Sequence, residues 1–198
     1  MDKTTVQNFI RASLSEGAQA RAKLAEACGE PVEEATRKIC ESLEHGGKLL
    51  IFGNGGSAAD AEHMAAEFVG RFLRERSGLP AIALTTNGSI FTSIGNDFGF
   101  EEIFARQVKA LGRAGDVAIG ISTSGNSPNV LEGLKAAREA SLSTIVLTGG
   151  TGGEAAKLAD IALVAPSKTV WQIQECHTAL IHVMCGAAEE MLAGTLKD

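Results

Sequence analysis

Aromatic residues are scarce in this sequence of 198 residues, which has eight Phe, one Trp and no Tyr. Surfaces that bind single-stranded nucleic acid usually stack bases on aromatic side chains, so such a surface is not expected. Basic residues are also outnumbered by acidic ones, and the formal net charge is −6. That charge gives no general attraction to nucleic acid or to an anionic membrane. An anionic ligand would have to be held by local groups such as helix N-termini and hydroxyls.

Long hydrophobic runs are lacking as well. The longest, at 49–52 and 161–165, have only the length of a strand, so no transmembrane helix is expected. The first ten residues are polar and have no signal-peptide core. The four cysteines lack Cys-x-x-Cys spacing and have apolar neighbours, which is typical of buried, reduced thiols (Cys28, Cys40, Cys176 and Cys185). These features predict a cytoplasmic protein that binds neither a membrane nor nucleic acid.

The order of apolar and amphipathic segments predicts an α/β fold. Residues 1–45 carry helix-forming residues at amphipathic spacing and predict an N-terminal arm of two helices, broken near 29–31, that could serve in oligomer contacts. From 46 to 198, short apolar strands alternate with helices, which indicates a parallel sheet covered on both faces. The predicted strands are 48–52, 80–84, 116–121, 143–147 and 161–164. Helices are predicted at 57–74, 128–140 and 170–192, with short helical pieces across 89–111.

The first predicted strand is followed by a glycine-rich turn, Gly53-Asn54-Gly55-Gly56-Ser57. Such a turn lets the backbone approach an anion, and the helix that follows offers free N–H groups and a partial positive charge. Ser57 is predicted as the N-cap of that helix, with Asp60 completing a capping pattern. The alternative is a tight strand-to-helix turn that binds nothing.

A dinucleotide-binding turn is a further alternative, because Gly53, Gly55 and Ala58 match the spacing of that fingerprint. That site also needs a carboxylate at the end of the second strand to hold the ribose. Here the strand ends in Leu-Thr-Thr-Asn at 84–87. The missing acidic residue weakens this interpretation.

A second polar loop, at 122–127, follows the third predicted strand and reads Ser-Thr-Ser-Gly-Asn-Ser. Ser127 is predicted as the N-cap of a helix whose first residue is Pro128. The loop carries four hydroxyls within six residues, and at a helix N-terminus these could surround a phosphate without any cation. Helix capping alone remains the alternative explanation.

The phosphosugar-binding loops of the sugar isomerase (SIS) domain family resemble these two loops, FGNGGS at 52–57 and ISTSGNS at 121–127. The phosphoheptose isomerase branch of that family resembles three further stretches, DAEHMAAE at 60–67, GNDFG at 95–99 and IQECHTALIH at 173–182. The resemblance extends over nearly the whole chain. It implies a flavodoxin-like, three-layer αβα sandwich with a five-stranded parallel sheet.

The resemblance also implies an activity and an assembly. The expected reaction is the isomerisation of sedoheptulose 7-phosphate to D-glycero-D-manno-heptose 7-phosphate through an enediol. It would be the first step towards nucleotide-activated heptose for lipopolysaccharide core or other surface glycans. The expected assembly is a homotetramer with one Zn²⁺ per subunit.

Individual site residues are implied in the same way. Phosphate would be held by Ser57, Ser122, Ser124 and Ser127. The sugar would contact Asn54, Gly55, Gly56, Glu67, Asn96, Asp97, Thr123 and Gln174. The acid/base pair would be Glu67 and His182, and the zinc ligands His63, Glu67, Gln174 and His182. Some relatives have Asp where this chain has Trp171, so no additional acid/base group is expected there.

Helical spacing is compatible with this set. His63 and Glu67 are four residues apart, share one face of a helix and can bind one ion. Gln174 and His182 are eight apart, which places them about 80° apart around a helix axis, so both can lean into one cleft. Glu62 and His177 would point elsewhere. Taken singly, the first pair could be a solvated ion pair, and His182 could be a core histidine.

Other functions are compatible with the same loops. A non-catalytic SIS-type adaptor that binds a replication-initiation protein would keep the serine loop but lose the carboxylate and the histidine, both of which are present as Glu67 and His182. A phosphosugar-sensing regulator would need a DNA-binding helix-turn-helix segment, and none is evident. An isomerase for another sugar phosphate is a further alternative, since the length of the sugar follows only from the resemblance.

Overall fold

A computed structural model describes residues 3–193 and has the expected α/β architecture. The helices are α1 Lys3–Ala22, α2 Leu24–Glu44, α3 Gly56–Val69, α4 Gly88–Phe98, α5 Ile103–Leu111, α6 Pro128–Glu139, α7 Gly153–Leu158 and α8 Val170–Leu192. The strands are β1 Leu49–Gly53, β2 Ala81–Ala83, β3 Val117–Ile121, β4 Ser143–Gly149 and β5 Ile161–Ala165. A 3₁₀ turn at Phe100–Glu102 joins α4 to α5. None of the helices within 3–193 is both long and apolar enough to cross a membrane.

The five strands form one parallel sheet in the order β2-β1-β3-β4-β5, which confirms the predicted sheet. The chain moves outward from β1 to β2 and then returns to place β3 on the other side of β1. The strand order therefore reverses between β1 and β3, where Phe52 pairs with Gly120 and Gly53 with Ile121. Ligands of such sheets bind beyond the carboxyl ends of the strands at this point. The loops at 53–57 and 122–127 both lie there.

Successive side chains of β1 point to opposite faces of the sheet and define the two outer layers. Leu49 and Ile51 pack in a core with α2, α3 and α8. Leu50 and Phe52 pack in a second core with α5 and α6. All four side chains have no exposed surface. The burial of both faces explains why the strands are short, continuous apolar runs in the sequence.

The N-terminal segment differs in detail from the prediction. The two helices meet at Lys23, and the predicted break near 29–31 is wrong, since Pro31 lies inside α2. A proline there removes one helical hydrogen bond. Its neighbours Cys28 and Val32 are buried in the first core, so packing against the sheet holds the helix together in spite of the proline. Thus α2 contributes to the sandwich, and only α1 lies outside it.

The end of one helix and the presence of another also differ from the prediction. Helix α3 ends at Val69, not at residue 74, because the backbone N–H groups of Phe72, Leu73 and Arg74 donate to the carboxylate of Glu189 and so cannot continue the helix. The short helix α7 was not predicted. It begins in the glycine-rich stretch 149–153, which hides its start in the sequence.

Candidate active site

The glycine-rich loop forms the turn from β1 into α3, but the predicted cap is wrong. The N-cap position is Gly55, whose φ of 55° is easily reached only by glycine. Ser57 already lies in the helix, where its N–H donates to the carbonyl of Asn54 at 3.0 Å, and the residue is almost fully buried. The carboxylate of Asp60 accepts a hydrogen bond from Thr178 of α8 instead of completing a capping box.

The serine loop runs from β3 into α6, with Ser127 at the N-cap and Pro128 at the first helical position, as predicted. The hydroxyl of Ser127 makes no capping bond and lies 3.1 Å from the hydroxyl of Ser122. Ser122 is buried, Thr123 is half-buried and Ser124 is exposed, so the loop presents hydroxyls at several depths. The hydroxyl of Ser124 accepts a hydrogen bond from the N–H of Asn126 at 3.2 Å. Helix capping therefore does not account for this loop, because the Ser127 side chain at the N-cap makes no capping bond.

An amide pair that the sequence did not reveal links the two loops. Asn54 of the first loop and Asn129 in the first turn of α6 exchange two hydrogen bonds of 2.8 Å between their side chains. Asn129 is buried. The only signal in the sequence was an amide residue directly after the helix-starting Pro128. The pair holds the N-termini of α3 and α6 side by side at the reversal of the strand order.

Two imidazoles and a carboxylate meet on the facing sides of α3 and α8. His63 Nε2 lies 3.1 Å from Glu67 Oε1 and 3.3 Å from His182 Nε2. One donor atom from each of the three residues lies within 4.8 Å of the other two. The cluster is partly open to solvent, since the side chain of His63 is 36% exposed and that of Glu67 23%. A single chain thus brings together the three residues.

The donor set suits a zinc ion. Two neutral imidazole nitrogens and one carboxylate oxygen are typical zinc ligands, and catalytic sites commonly use three protein ligands and leave a position open. Glu67 also affects its surroundings: burial raises the pKa of the Cys185 thiol to about 12, and the charges of Glu67 and Glu189 add to that shift. Cys185 is therefore a neutral thiol at neutral pH.

The contact between α3 and α8 forms a seam, with the His63–Glu67–His182 cluster at one end. Gln174 lies at the other end of this seam. Its amide lies against Gly56, at the start of α3, where a side chain at position 56 would collide with it. The next contact along the seam is Thr178 with Asp60, followed by His182 with His63, so the two helices run parallel. Gln174 thus borders the glycine-rich loop, about 12 Å along the axis of α8 from His182 at 1.5 Å per residue.

Asp60 lies between these two ends. Burial raises the pKa of its carboxyl group, while the hydrogen bond from Thr178 and the charge of His63 act in the opposite direction. The seam therefore holds a carboxyl group that is more easily protonated than usual, next to the imidazole cluster.

The remaining predicted residues lie apart from the cluster. Asn96 and Asp97 are exposed near the end of α4, where the amide of Asn96 donates to the carboxylate of Asp97 at 2.8 Å. Glu62 points away, as expected, and accepts a hydrogen bond from Thr85. His177 is also directed elsewhere: it is fully buried, and its Nε2 donates to the carbonyl of Thr148 at 3.0 Å.

Comparison with known proteins places this arrangement in a family. The profile of the SIS domain matches residues 14–149. The chain belongs to the SIS domain family. A phosphoheptose isomerase of Aquifex aeolicus, itself of this family, is 50% identical over 92% of this chain and 96% of its own length. The family resemblance seen in the motifs is thereby confirmed, and it falls in the phosphoheptose isomerase branch.

Two solved structures of SIS domain proteins agree with the fold. A phosphoheptose isomerase from Neisseria gonorrhoeae superposes with a TM-score of 0.89 at 45% identity, covering 93% of this chain and 99% of the other. One from Francisella tularensis gives 0.90 at 36% identity, covering 93% and 98%. The fold is thus shared with both over 93% of this chain.

Proposed function

We propose that the protein is a phosphoheptose isomerase that converts sedoheptulose 7-phosphate to D-glycero-D-manno-heptose 7-phosphate. This reaction would be the first step in making nucleotide-activated heptose for lipopolysaccharide core or other surface glycans. The observation that carries the proposal is the meeting of His63, Glu67 and His182 in a seam that begins at the glycine-rich loop. The relatives at about 50% identity bear the same activity in their names.

The phosphate would bind at the N-termini of α3 and α6. Free N–H groups and the helix dipoles favour an anion there, and no cation is required. The hydroxyls that would complete the site are those of Ser57, Ser122, Ser124 and Ser127. Further sugar contacts would come from Asn54, Gly55, Gly56, Asn96, Asp97, Thr123 and Gln174.

The distance along α3 suits a long sugar phosphate. Seven residues separate Gly56 from His63, which corresponds to about 10 Å along the helix axis. An extended sugar phosphate of six or seven carbons has a similar length. With its phosphate at the loops, such a substrate would bring its first two carbons to Glu67 and His182.

The chemistry moves one proton between adjacent carbons. Glu67 would take a proton from C1 of the ketose while His182, in its protonated form and therefore not bound to metal, protonates the oxygen on C2, which gives the enediol. Loss of the proton from the oxygen on C1 and return of a proton to C2 then give the aldose. A well-placed acid or base contributes about 10²–10⁴-fold to such a step.

One zinc ion per subunit would be held by His63, Glu67 and His182. The family resemblance also implies Gln174 as a ligand, but within one chain its amide lies against Gly56 at the other end of the seam, too far from the cluster to bind the same ion. Bound there, zinc would supply a Lewis acid that stabilises negative charge on the sugar oxygens. The fit of two imidazoles and a carboxylate supports this assignment.

A cytoplasmic homotetramer is the proposed assembly, with the arm at 1–45 in its contacts. Apolar side chains on α1 are well exposed in the single chain, namely Val6, Phe9, Ile10 and Leu14. An apolar groove of about 430 Å³ also runs between α2 and α8, lined in part by Leu24, Val32 and Val183. Surfaces of this kind are typical of subunit interfaces. Light scattering on the purified protein would refute this assembly if it gave the mass of a monomer.

The function is tested by incubating zinc-loaded protein with sedoheptulose 7-phosphate in ²H₂O. We expect aldoheptose 7-phosphate carrying one deuterium at C2, because the proton removed at C1 exchanges with solvent. After treatment with a chelator the rate should fall to near background, and added Zn²⁺ should restore it. Product is followed by NMR and by mass spectrometry.

Two outcomes of this experiment would contradict the proposal. No product from the zinc-loaded protein would remove the isomerase function and favour the non-catalytic adaptor. An unchanged rate in metal-free protein would remove zinc from the reaction, while leaving the acid/base assignment in place.

A further inference from the structure

The segment that links α3 to β2 is held by a buried ion pair outside the cluster described above. Glu189, near the end of α8, accepts hydrogen bonds from the backbone N–H groups of Phe72, Leu73 and Arg74 at 2.9, 2.8 and 3.0 Å. Its Oε1 also accepts a bond of 2.9 Å from Nε of Arg76. The side chains of Arg76 and Glu189 are only 5% and 2% exposed. One carboxylate thus collects four donors from a single linking segment.

Glu189 is charged in the folded protein. Burial alone would raise the pKa of this carboxyl group, but the three backbone hydrogen bonds and the charge of Arg76 outweigh it, and the pKa is lowered. Buried ion pairs bring little net stability, because the loss of hydration offsets their attraction. The pair therefore calls for an explanation other than stability.

The guanidinium of Arg76 reaches the end of the helix that carries Glu67. Its Nη2 donates to the carbonyl oxygen of Glu67 and its Nη1 to that of Phe68, both at 2.8 Å. These are carbonyls of the last turn of α3, which have no partner within the helix. A cation is favourable at this end of the helix dipole. Arg76 thereby fixes the backbone at Glu67 itself.

The other end of the segment reaches His182. The ring of Phe72 stacks on the imidazole of His182, with centroids 5.5 Å apart and planes 19° from parallel. The N–H of this same Phe72 is bound by Glu189. Glu189 and His182 are seven residues apart on α8, so the segment is tied to that helix at both places.

We propose that Glu189 and Arg76 are positioning residues of the isomerase, which set the orientation of His182 through Phe72 and of Glu67 through the last turn of α3. The proposal rests on the proposed function for its kinetic consequence only. Arg76 contacts Glu67 only at its backbone carbonyl, and the described hydrogen bonds of Glu189 and Arg76 reach no side chain proposed to hold substrate. Their effect is on the relative placement of the acid and the base, to which reaction rates are highly sensitive.

The test is Glu189→Gln, with Asp116→Asn as the matched control. Asp116 is also a buried carboxylate, which accepts backbone N–H bonds from Lys48 and Arg113 and pairs with the ammonium of Lys48. It lies just before β3, and its described hydrogen bonds go to Lys48 and Arg113, not to α3, α8 or the segment between α3 and β2. Asp116→Asn should therefore reproduce the loss of a buried charge without disturbing the seam.

We expect Glu189→Gln to lower kcat by about 10–100-fold, since misplacement by about 1 Å can cost that much. KM for the sugar phosphate should stay within about twofold of wild type, because the phosphate loops are untouched. Asp116→Asn should keep kcat near wild type at temperatures where both variants are folded by circular dichroism. A Glu189→Gln protein with the kcat of the control would overturn the proposal.

A second readout does not depend on activity. The chain has four histidines, so the ring resonances of ¹³C-labelled histidine can be assigned by substitution. The His182 resonance should move in Glu189→Gln as the ring of Phe72 shifts, while that of His45, far from the segment, should not. An unmoved His182 signal would overturn the positioning role even if the wild-type protein proved inactive on sedoheptulose 7-phosphate. If Glu189→Gln fails to fold, Phe72→Leu, which keeps the ion pair, must show the same fall in kcat at unchanged KM, or the proposal fails.

Discussion

Glu67→Gln is expected to reduce kcat by about 10²–10⁴-fold, the contribution of one well-placed acid or base. The substitution keeps the size of the side chain but removes the basic oxygen that would take the proton from C1. The fold should survive, because the side chain is partly exposed and its described polar contact is with His63. KM should change little, since the proposed phosphate site lies in the two loops and not at Glu67.

Glu62→Gln provides the matched control for this experiment. Glu62 is exposed on the same helix and accepts a hydrogen bond from Thr85, outside the seam. Its substitution should leave kcat unaltered. Zinc content is measured in both proteins, because Glu67 is also a proposed ligand, and the assay is repeated with saturating Zn²⁺. Turnover near that of wild type in Glu67→Gln would exclude Glu67 as the base.

The sheet was predictable because its three central strands, β1, β3 and β4, are buried on both faces. Short continuous apolar runs such as 49–52 are typical of such strands, and the loops after β1 and β3 are rich in glycine or serine. The position of the two loops at one edge then follows from the parallel order of the strands alone. This is why the proposed phosphate-binding end of the site could be located from the sequence.

Helix boundaries were less predictable because distant residues set them. The pattern of α3 reads as helical up to residue 74, and what ends it at Val69 is a carboxylate more than a hundred positions later. The helix α2 continues through Pro31 because its flanking residues are buried against the sheet. Local propensity could indicate neither the end of α3 nor the continuation of α2, since tertiary contacts override it.

Only part of the proposed catalytic end of the site could be predicted from the sequence. His63 and Glu67 are four residues apart, and this spacing, which can be recognised from the sequence alone, places them on one helix face. Their contact with His182 depends on the parallel packing of α3 on α8, and no local sequence pattern predicts that packing. For the same reason the Asn54–Asn129 pair and the contact of Phe72 with His182 were missed: each joins residues on separate elements.

Gly125→Ala is expected to disable phosphate binding, although it adds only a methyl group. Gly125 has a φ of 66°, and a Cβ there would collide with the carbonyl oxygen of Gly152 and lie 2.8 Å from Oγ1 of Thr148. The loop is also fixed on this side, since the carbonyl of Gly125 accepts a hydrogen bond from the N–H of Ala155 at 2.9 Å. The loop must therefore move as a whole, and its serine hydroxyls move with it.

We expect kcat/KM for the sugar phosphate to fall by about 100-fold in Gly125→Ala, mainly through KM, because displacement of binding groups by about 1 Å has effects of that size. The strained backbone should also lower the free energy of unfolding by about 1–3 kcal/mol. Gly46→Ala separates the two effects: Gly46 has a φ of 79°, but a Cβ there meets nothing within 4 Å, and it follows α2 at the other edge of the sheet. This control should lose stability and keep its kcat/KM. If Gly125→Ala also kept its kcat/KM within about twofold, the serine loop could not be what holds the phosphate.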